Sequence, residues 1–100
     1  MLMTRRNLAD HSEALLKDCL RRHLPPGTAV YLFGSRARGD NRWNSDFDLW
    51  IDADLPRKTQ AEILDEIDES VVPFHIDLVT TPALTGPFGA QVRKEAKRWM

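Results

Sequence analysis

The spacing of apolar residues changes along the chain, and each spacing predicts a different element. In two segments, apolar residues recur every three or four positions, the period of one helix face, and a third, short helix is predicted at the end of the chain. Three other segments alternate between apolar and polar residues or are rich in β-branched and aromatic ones, as strands are. The predicted helices are 4–24, 57–70 and 90–100. The predicted strands are 28–33, 45–52 and 72–80, and the proline- and glycine-rich stretch 81–89 is predicted as a loop.

The strand predicted over 45–52 has one apolar and one acidic face. Successive side chains of a strand point to opposite sides, so Asp46 and Asp48 share a face and the apolar residues between them share the other. Asp77 lies on the polar side of the strand predicted over 72–80. Because an apolar face needs a covering layer, the predicted fold class is α/β (α+β), a small mixed sheet of three to four strands with helices packed on one face. The carboxylates are expected on the face left open.

Composition limits the class of protein. One hundred residues, 42% hydrophobic and 29% charged, predict a single globular domain over 1–100. A net charge of -1 argues against direct binding of nucleic acid. Cys19 is the only cysteine, which excludes a disulfide within the chain and favours a cytoplasmic location. The first residues do not resemble a secretory leader, and no apolar run reaches the ~20 residues that cross a bilayer.

Two carboxylates on one strand face repel each other unless a cation lies between them. The Cα atoms at positions i and i+2 of a strand are roughly 6.6 Å apart, so Asp46 and Asp48 can bind shared ions. Two-metal phosphoryl transfer uses cations about 3.5–4 Å apart, and Mg²⁺ prefers oxygen ligands. Asp77 is the candidate third ligand and the candidate acceptor of the proton from the attacking hydroxyl. An arginine between the carboxylates, or plain solvated charge on an edge strand, is the alternative.

Gly34 and Ser35 directly follow a predicted strand. A glycine at this point lets the backbone approach a phosphate, and the free N–H groups of a following helical turn bind anions. The Ser35 hydroxyl is a candidate donor to a terminal phosphate. Arg36 and Arg38 are candidates for neutralising the charge of a triphosphate, although surface arginines are common without such a role.

These two groups of residues together resemble a known signature. Gly34-Ser35, ten intervening residues and then Asp46-x-Asp48 is similar to the motif of the nucleotidyltransferase superfamily that includes DNA polymerase β. The sequence "GSRARGD…SDFDL" resembles in particular the minimal nucleotidyltransferases (MNT) of the HEPN–MNT toxin–antitoxin systems. The resemblance extends over the whole chain.

The resemblance implies a function and assigns roles to the motif residues. It implies that Asp46, Asp48 and Asp77 are catalytic and bind two Mg²⁺ ions, and that Gly34 and Ser35 bind the nucleotide triphosphate. It further implies an antitoxin that transfers AMP from ATP to a tyrosine of its partner, a HEPN ribonuclease toxin, and so silences it. The alternative is a nucleotidyltransferase-like binding module that neutralises its partner by stoichiometric occlusion without catalysis. The sequence leaves the roles of three further residues open: Trp43, Trp50 and His75.

Overall fold

The computed structural model describes residues 4–100 as a mixed sheet with helices on both sides of it. The predicted domain 1–100 includes residues 1–3, which lie outside this description, and its extent remains a prediction. The helices are α1 (Arg5–His23), α2 (Gly34–Arg38), α3 (Arg57–Asp68) and α4 (Gly86–Glu95), with a 3₁₀ helix at Thr81–Ala83. The strands are β1 (Val30–Phe33), β2 (Phe47–Ile51), β3 (Ile76–Thr80) and β4 (Lys97–Arg98).

The sheet has the strand order β3-β2-β1-β4. The central pair β1 and β2 is antiparallel, β2 and β3 run parallel, and β4 pairs antiparallel with the free side of β1. The predicted fold class, a mixed α+β arrangement with a small mixed sheet, is therefore confirmed. The register sets Asp48 opposite Phe33 on one side and opposite Asp77 on the other.

The main core lies between one sheet face and helices α1 and α3. The apolar face of β2 is completely buried there, as the alternation of the sequence predicts. Phe47 meets Phe74 edge to face, with ring centroids 5.4 Å apart. Full burial of such a side chain contributes about 1.5–3 kcal/mol, so this face supplies much of the stability that holds β2 in place. The residues with no exposed surface in this core are Leu16, Leu20, Val30, Phe47, Leu49, Ile51 and Ile63.

The opposite face of the sheet is partly covered, which the sequence did not predict. Leu84 and Val92, from the segment around α4, pack with Phe33 and Trp50 in a second apolar cluster. The loop predicted over 81–89 is wrong, because the 3₁₀ helix and the start of α4 lie there. A proline in the first helical turn removes only an N–H that has no partner within the helix, so the proline at position 87 starts α4 instead of breaking it.

The helix predicted over 90–100 is also wrong in its second half. It ends at Glu95, and the chain then pairs with the edge of β1 as β4. The Trp99 N–H donates to the Val30 carbonyl at 2.8 Å, and the Trp99 ring packs against the main core. The outer edge of β1 would otherwise present unpaired backbone groups, and β4 satisfies them.

Helices α1 and α3 are joined by a polar network at their surface. Arg22 donates two hydrogen bonds to the Glu66 carboxylate, at 2.9 and 2.6 Å, and the His23 ring lies 3.1 Å from the same carboxylate. Hydrogen bonding to Arg22 lowers the pKa of Glu66 to about 2, while burial raises the pKa of the Cys19 thiol to about 12. Across residues 4–100, none of the helices is both long and apolar enough to cross a membrane.

Candidate nucleotide-transfer site

Three carboxylates meet where β2 and β3 begin, on the sheet face away from the main core. The parallel register sets Asp48 opposite Asp77. Asp46 immediately precedes β2, and the hydrogen bond from the Phe47 N–H to the His75 carbonyl, at 3.0 Å, aligns it with His75. One ligand atom each from Asp46, His75 and Asp77 lie within 4.8 Å of one another. The structure thus brings together the three aspartates selected from the sequence.

Asp48 is the carboxylate most strongly affected by its surroundings. It is half-buried, whereas Asp46 and Asp77 are exposed. Burial, followed by the charge of Asp77 and a hydrogen bond with it, raises the pKa of Asp48 to about 6, and Asp46 and Glu95 add to the effect. A cation bound beside Asp48 would therefore stabilise its ionised form.

The turn after β1 approaches this group of carboxylates closely. Gly34 has φ +73°, a conformation that L side chains rarely adopt. A Cβ built on it would collide with the Asp48 carboxylate oxygen and lie 3.0 Å from its Cγ. Ser35 follows in the first turn of α2, which has no side-chain cap. The motif glycine is therefore required both by the backbone angle and by the space that Asp48 occupies.

Arg36 holds the loop between α2 and β2 through its guanidinium. Its guanidinium donates to the Ser45 carbonyl and the Trp43 carbonyl, both at 3.0 Å. It lies 4.1 Å from the centroid of the Phe47 ring, and burial lowers its pKa. A contact between Arg36 and a nucleotide phosphate stays a prediction, since these donors are already occupied within the loop.

Arg38 links α2 to α4. Its guanidinium pairs with Asp40 at 3.1 Å and with Glu95, and hydrogen bonding to Arg38 lowers the pKa of Glu95. Glu95 was not selected from the sequence, because the position of α4 over the open face was not expected. The predicted phosphate contact of Arg38 stays a prediction as well.

The structure answers one of the questions left open about the aromatic residues. Trp50 stacks on Tyr31, with ring centroids 4.6 Å apart, and its indole N–H donates to the Thr81 hydroxyl at 3.0 Å. It is buried in the second apolar cluster, on the same face of the sheet as Asp48. Trp43 is 46% exposed, with the Arg5 guanidinium 4.8 Å from its ring.

A glycine turn facing convergent carboxylates on a mixed sheet defines a class of protein that transfers groups from nucleotides. Residues 13–100 match the family model of the nucleotidyltransferase domain. The chain therefore belongs to the nucleotidyltransferase domain family.

Solved structures with the same fold come from toxin–antitoxin complexes, among others. A chain from a toxin–antitoxin complex with AMP-PNP is 27% identical with a TM-score of 0.71, over 88% of this chain and 72% of that one. A protein solved as a candidate minimal nucleotidyltransferase is 28% identical with a TM-score of 0.66, over 95% of both chains. At 22% identity and a TM-score of 0.66, over 91% of this chain and 71% of that one, the complex of tri-AMPylated Shewanella oneidensis HEPN toxin with MNT antitoxin shows a likeness of fold alone. No protein of curated function matches the chain.

Proposed function

We propose that this chain is a Mg²⁺-dependent nucleotidyltransferase antitoxin that transfers AMP from ATP to a tyrosine of a partner HEPN ribonuclease toxin. The observation that carries the proposal is the meeting of Asp46, Asp48 and Asp77 beside the Gly34 turn. The similarity to toxin–antitoxin structures, one of them with AMP-PNP, supports the choice of nucleotide and partner. The same proposal places the protein in the cytoplasm without direct contact to nucleic acid.

The donor set fits the two Mg²⁺ ions that the proposal requires. All three aspartates offer carboxylate oxygens, the ligands that Mg²⁺ prefers. Burial and the charge of Asp77 raise the pKa of Asp48, so a bound cation would stabilise its ionised form. Asp46, Asp48 and Asp77 would hold the ions, which when bound would neutralise the triphosphate and the leaving pyrophosphate.

The side chains of the site have distinct roles in the proposed reaction. The backbone at Gly34 and Ser35 would hold the triphosphate against β2, with the α-phosphorus in line with the acceptor hydroxyl. The hydroxyl oxygen attacks the α-phosphorus, the bond from that phosphorus to the bridging oxygen breaks, and pyrophosphate leaves. Asp77, exposed at the rim of the site, would accept the hydroxyl proton. The product is a phosphodiester between AMP and the acceptor side chain.

Intact-mass measurement of the partner tests the proposal. The chain is incubated with the protein encoded by the neighbouring gene, ATP and Mg²⁺, and the partner is then weighed. We expect AMP-sized increments that map to tyrosine, and their loss when the chain carries Asp46→Asn and Asp48→Asn together. Asp54→Asn, an exposed aspartate in the turn after β2, is the matched control and should leave the increments unchanged.

The same experiment decides between catalysis and occlusion. If the partner ribonuclease is silenced at equal stoichiometry without any change of mass, and equally by the double variant, the chain acts as a binding module. Increments that persist in the double variant would contradict the roles given to Asp46 and Asp48.

A further inference from the structure

The group that meets at the start of β3 contains a nitrogen ligand besides carboxylates. His75 Nε2 lies 3.2 Å from an Asp77 carboxylate oxygen, and both side chains are more than half exposed. An oxygen of Asp46 completes a set of three atoms within 4.8 Å of one another. His75 precedes Asp77 by two residues, so both side chains point to the same face of the sheet.

The chemistry of this set differs from that of an all-carboxylate site. Mg²⁺ is a hard cation bound through oxygen, and an imidazole nitrogen adds little to its binding. First-row transition cations bind mixed nitrogen and oxygen sets, and Mn²⁺ is the one that also shares the preference of Mg²⁺ for carboxylates, water and phosphates. An imidazole beside two carboxylates therefore favours Mn²⁺ over Mg²⁺.

We infer that His75 is a protein ligand, together with Asp46 and Asp77, of one divalent cation, and that this position selects Mn²⁺ over Mg²⁺. The inference rests on the proposed function, because the same aspartates would hold the ions of the transfer reaction. It adds a ligand and a metal preference that the three aspartates alone do not give. Asp48, which lies opposite Asp77 in the register of β2 and β3, is left to the second cation.

A different role for His75 is to orient Asp77 through their hydrogen bond, and one substitution separates the two roles. In His75→Gln, the side-chain amide can still donate to the Asp77 carboxylate, but the imidazole nitrogen is gone. If His75 only orients Asp77, this variant behaves like the unaltered chain. If His75 binds the cation, the variant loses its preference for Mn²⁺.

Electron paramagnetic resonance of Mn²⁺ bound to the chain alone, without a histidine tag, ATP or partner, tests the inference. Titration gives the Mn²⁺ affinity, competition gives the Mg²⁺ affinity, and pulsed measurements detect a nitrogen coupled to the bound Mn²⁺. We expect nitrogen coupling in the unaltered chain and its loss in His75→Gln. That variant should bind Mn²⁺ at least about tenfold more weakly, since even the loss of a group that only supports a ligand costs that much. Its Mg²⁺ affinity should be unchanged.

His11→Gln, which alters an exposed histidine of α1, is the control and should retain the coupling and both affinities. The inference is overturned if the unaltered chain shows no nitrogen coupling, or if His75→Gln leaves the ratio of Mn²⁺ to Mg²⁺ affinity unchanged. These readouts require no transfer of AMP. A chain that selects Mn²⁺ through His75 but never modifies a partner would contradict the proposed function alone, and the opposite result would contradict this inference alone.

Discussion

The backbone of Gly34 passes so close to the Asp48 carboxylate that each residue restricts what the other position can hold. The glycine has a positive φ, and the space where a Cβ would lie is filled by Asp48. A larger residue would have to displace the carboxylate from the place where it meets Asp77. Sequence spacing identified both residues, but only the register of β1 against β2 explains their dependence on each other.

We therefore predict that Gly34→Ala destabilises the protein by about 2–4 kcal/mol, the sum of backbone strain and overpacking. Gly39→Ala is a matched control, because Gly39 has φ +86° but open space around it, and strain alone should cost about 1–2 kcal/mol. Urea denaturation of both variants measures the difference. Equal losses of stability would show that Asp48 moves aside without cost.

The positions of some site residues were predictable from the sequence, whereas the contacts of Arg36 were not. Asp46, Asp48 and Gly34 were accessible from the sequence because two short-range patterns, strand alternation and a glycine after a strand, determine where they lie. Arg36 was expected at a phosphate because its charge is visible in the sequence. The carbonyls that it binds, in the loop before β2, are not visible there.

At the scale of elements, the Arg36 guanidinium anchors the loop from α2 to β2 to the core. Arg36 spans nine residues of sequence to the Ser45 carbonyl and lies between the loop and the aromatic rings of the core. Its planar fork fits two carbonyls and a ring face at once, which a lysine ammonium cannot do. Asp46 is the last residue of this loop, so Arg36 also helps to position a proposed metal ligand.

We predict that Arg36→Lys lowers the free energy of unfolding by about 1–3 kcal/mol although the charge is kept, because two hydrogen bonds to backbone carbonyls are lost. Arg42→Lys, in the exposed part of the same loop, should change it by less than about 0.5 kcal/mol. Denaturation curves of the two variants at one pH give the comparison. If Arg36→Lys is as stable as the unaltered chain but binds ATP more weakly, Arg36 is a phosphate ligand and not a loop anchor.

The elements themselves divide into those that local pattern determines and those that tertiary packing determines. Helix α1 was predicted because its apolar residues recur at helical spacing. Strands β1 to β3 were predicted because they alternate apolar with polar residues or are rich in β-branched and aromatic ones. Helix α4 begins at Gly86-Pro87, where composition indicates a loop, and Gly89 inside it is buried so closely against the Leu84 backbone that a Cβ would collide. Strand β4 has two residues and exists because β1 offers an unpaired edge. Both depend on surfaces that form only when the sheet is assembled.

For the whole molecule, the ionised Asp48 carboxylate destabilises the folded state, and interactions elsewhere in the fold must offset this cost. Burial and the charges of Asp77, Asp46 and Glu95 all raise the pKa of Asp48, on a sheet face that α4 partly covers. On the other face, the apolar side of β2 is entirely buried in the main core. The stability of this core offsets the cost of placing the carboxylates close together.

Removing the charge at Asp48 should therefore stabilise the protein without metal. The pKa of Asp48 is raised from 3.8 to about 6, so the folded state prefers the protonated form. That preference adds stability below about pH 4, and the added stability is lost as the pH rises through 6. At pH 7.5, Asp48→Asn should gain about 1–2 kcal/mol, a value reduced for partial exposure and screening, and each kcal/mol raises Tm by about 4–8 °C in a chain of this size.

Thermal unfolding between pH 3.5 and 8, with chelator and then with Mg²⁺, measures this effect. The gain of Asp48→Asn should shrink below pH 4, where the aspartate is protonated in both the folded and the unfolded chain. Mg²⁺ should raise the Tm of the unaltered chain more than that of the variant, because the added cation neutralises the same repulsion. Asp54→Asn should show neither effect, since Asp54 lies exposed in the turn after β2. An Asp48→Asn variant that is less stable at every pH would mean that the ionised carboxylate supports the fold, and the repulsion argument would then be wrong.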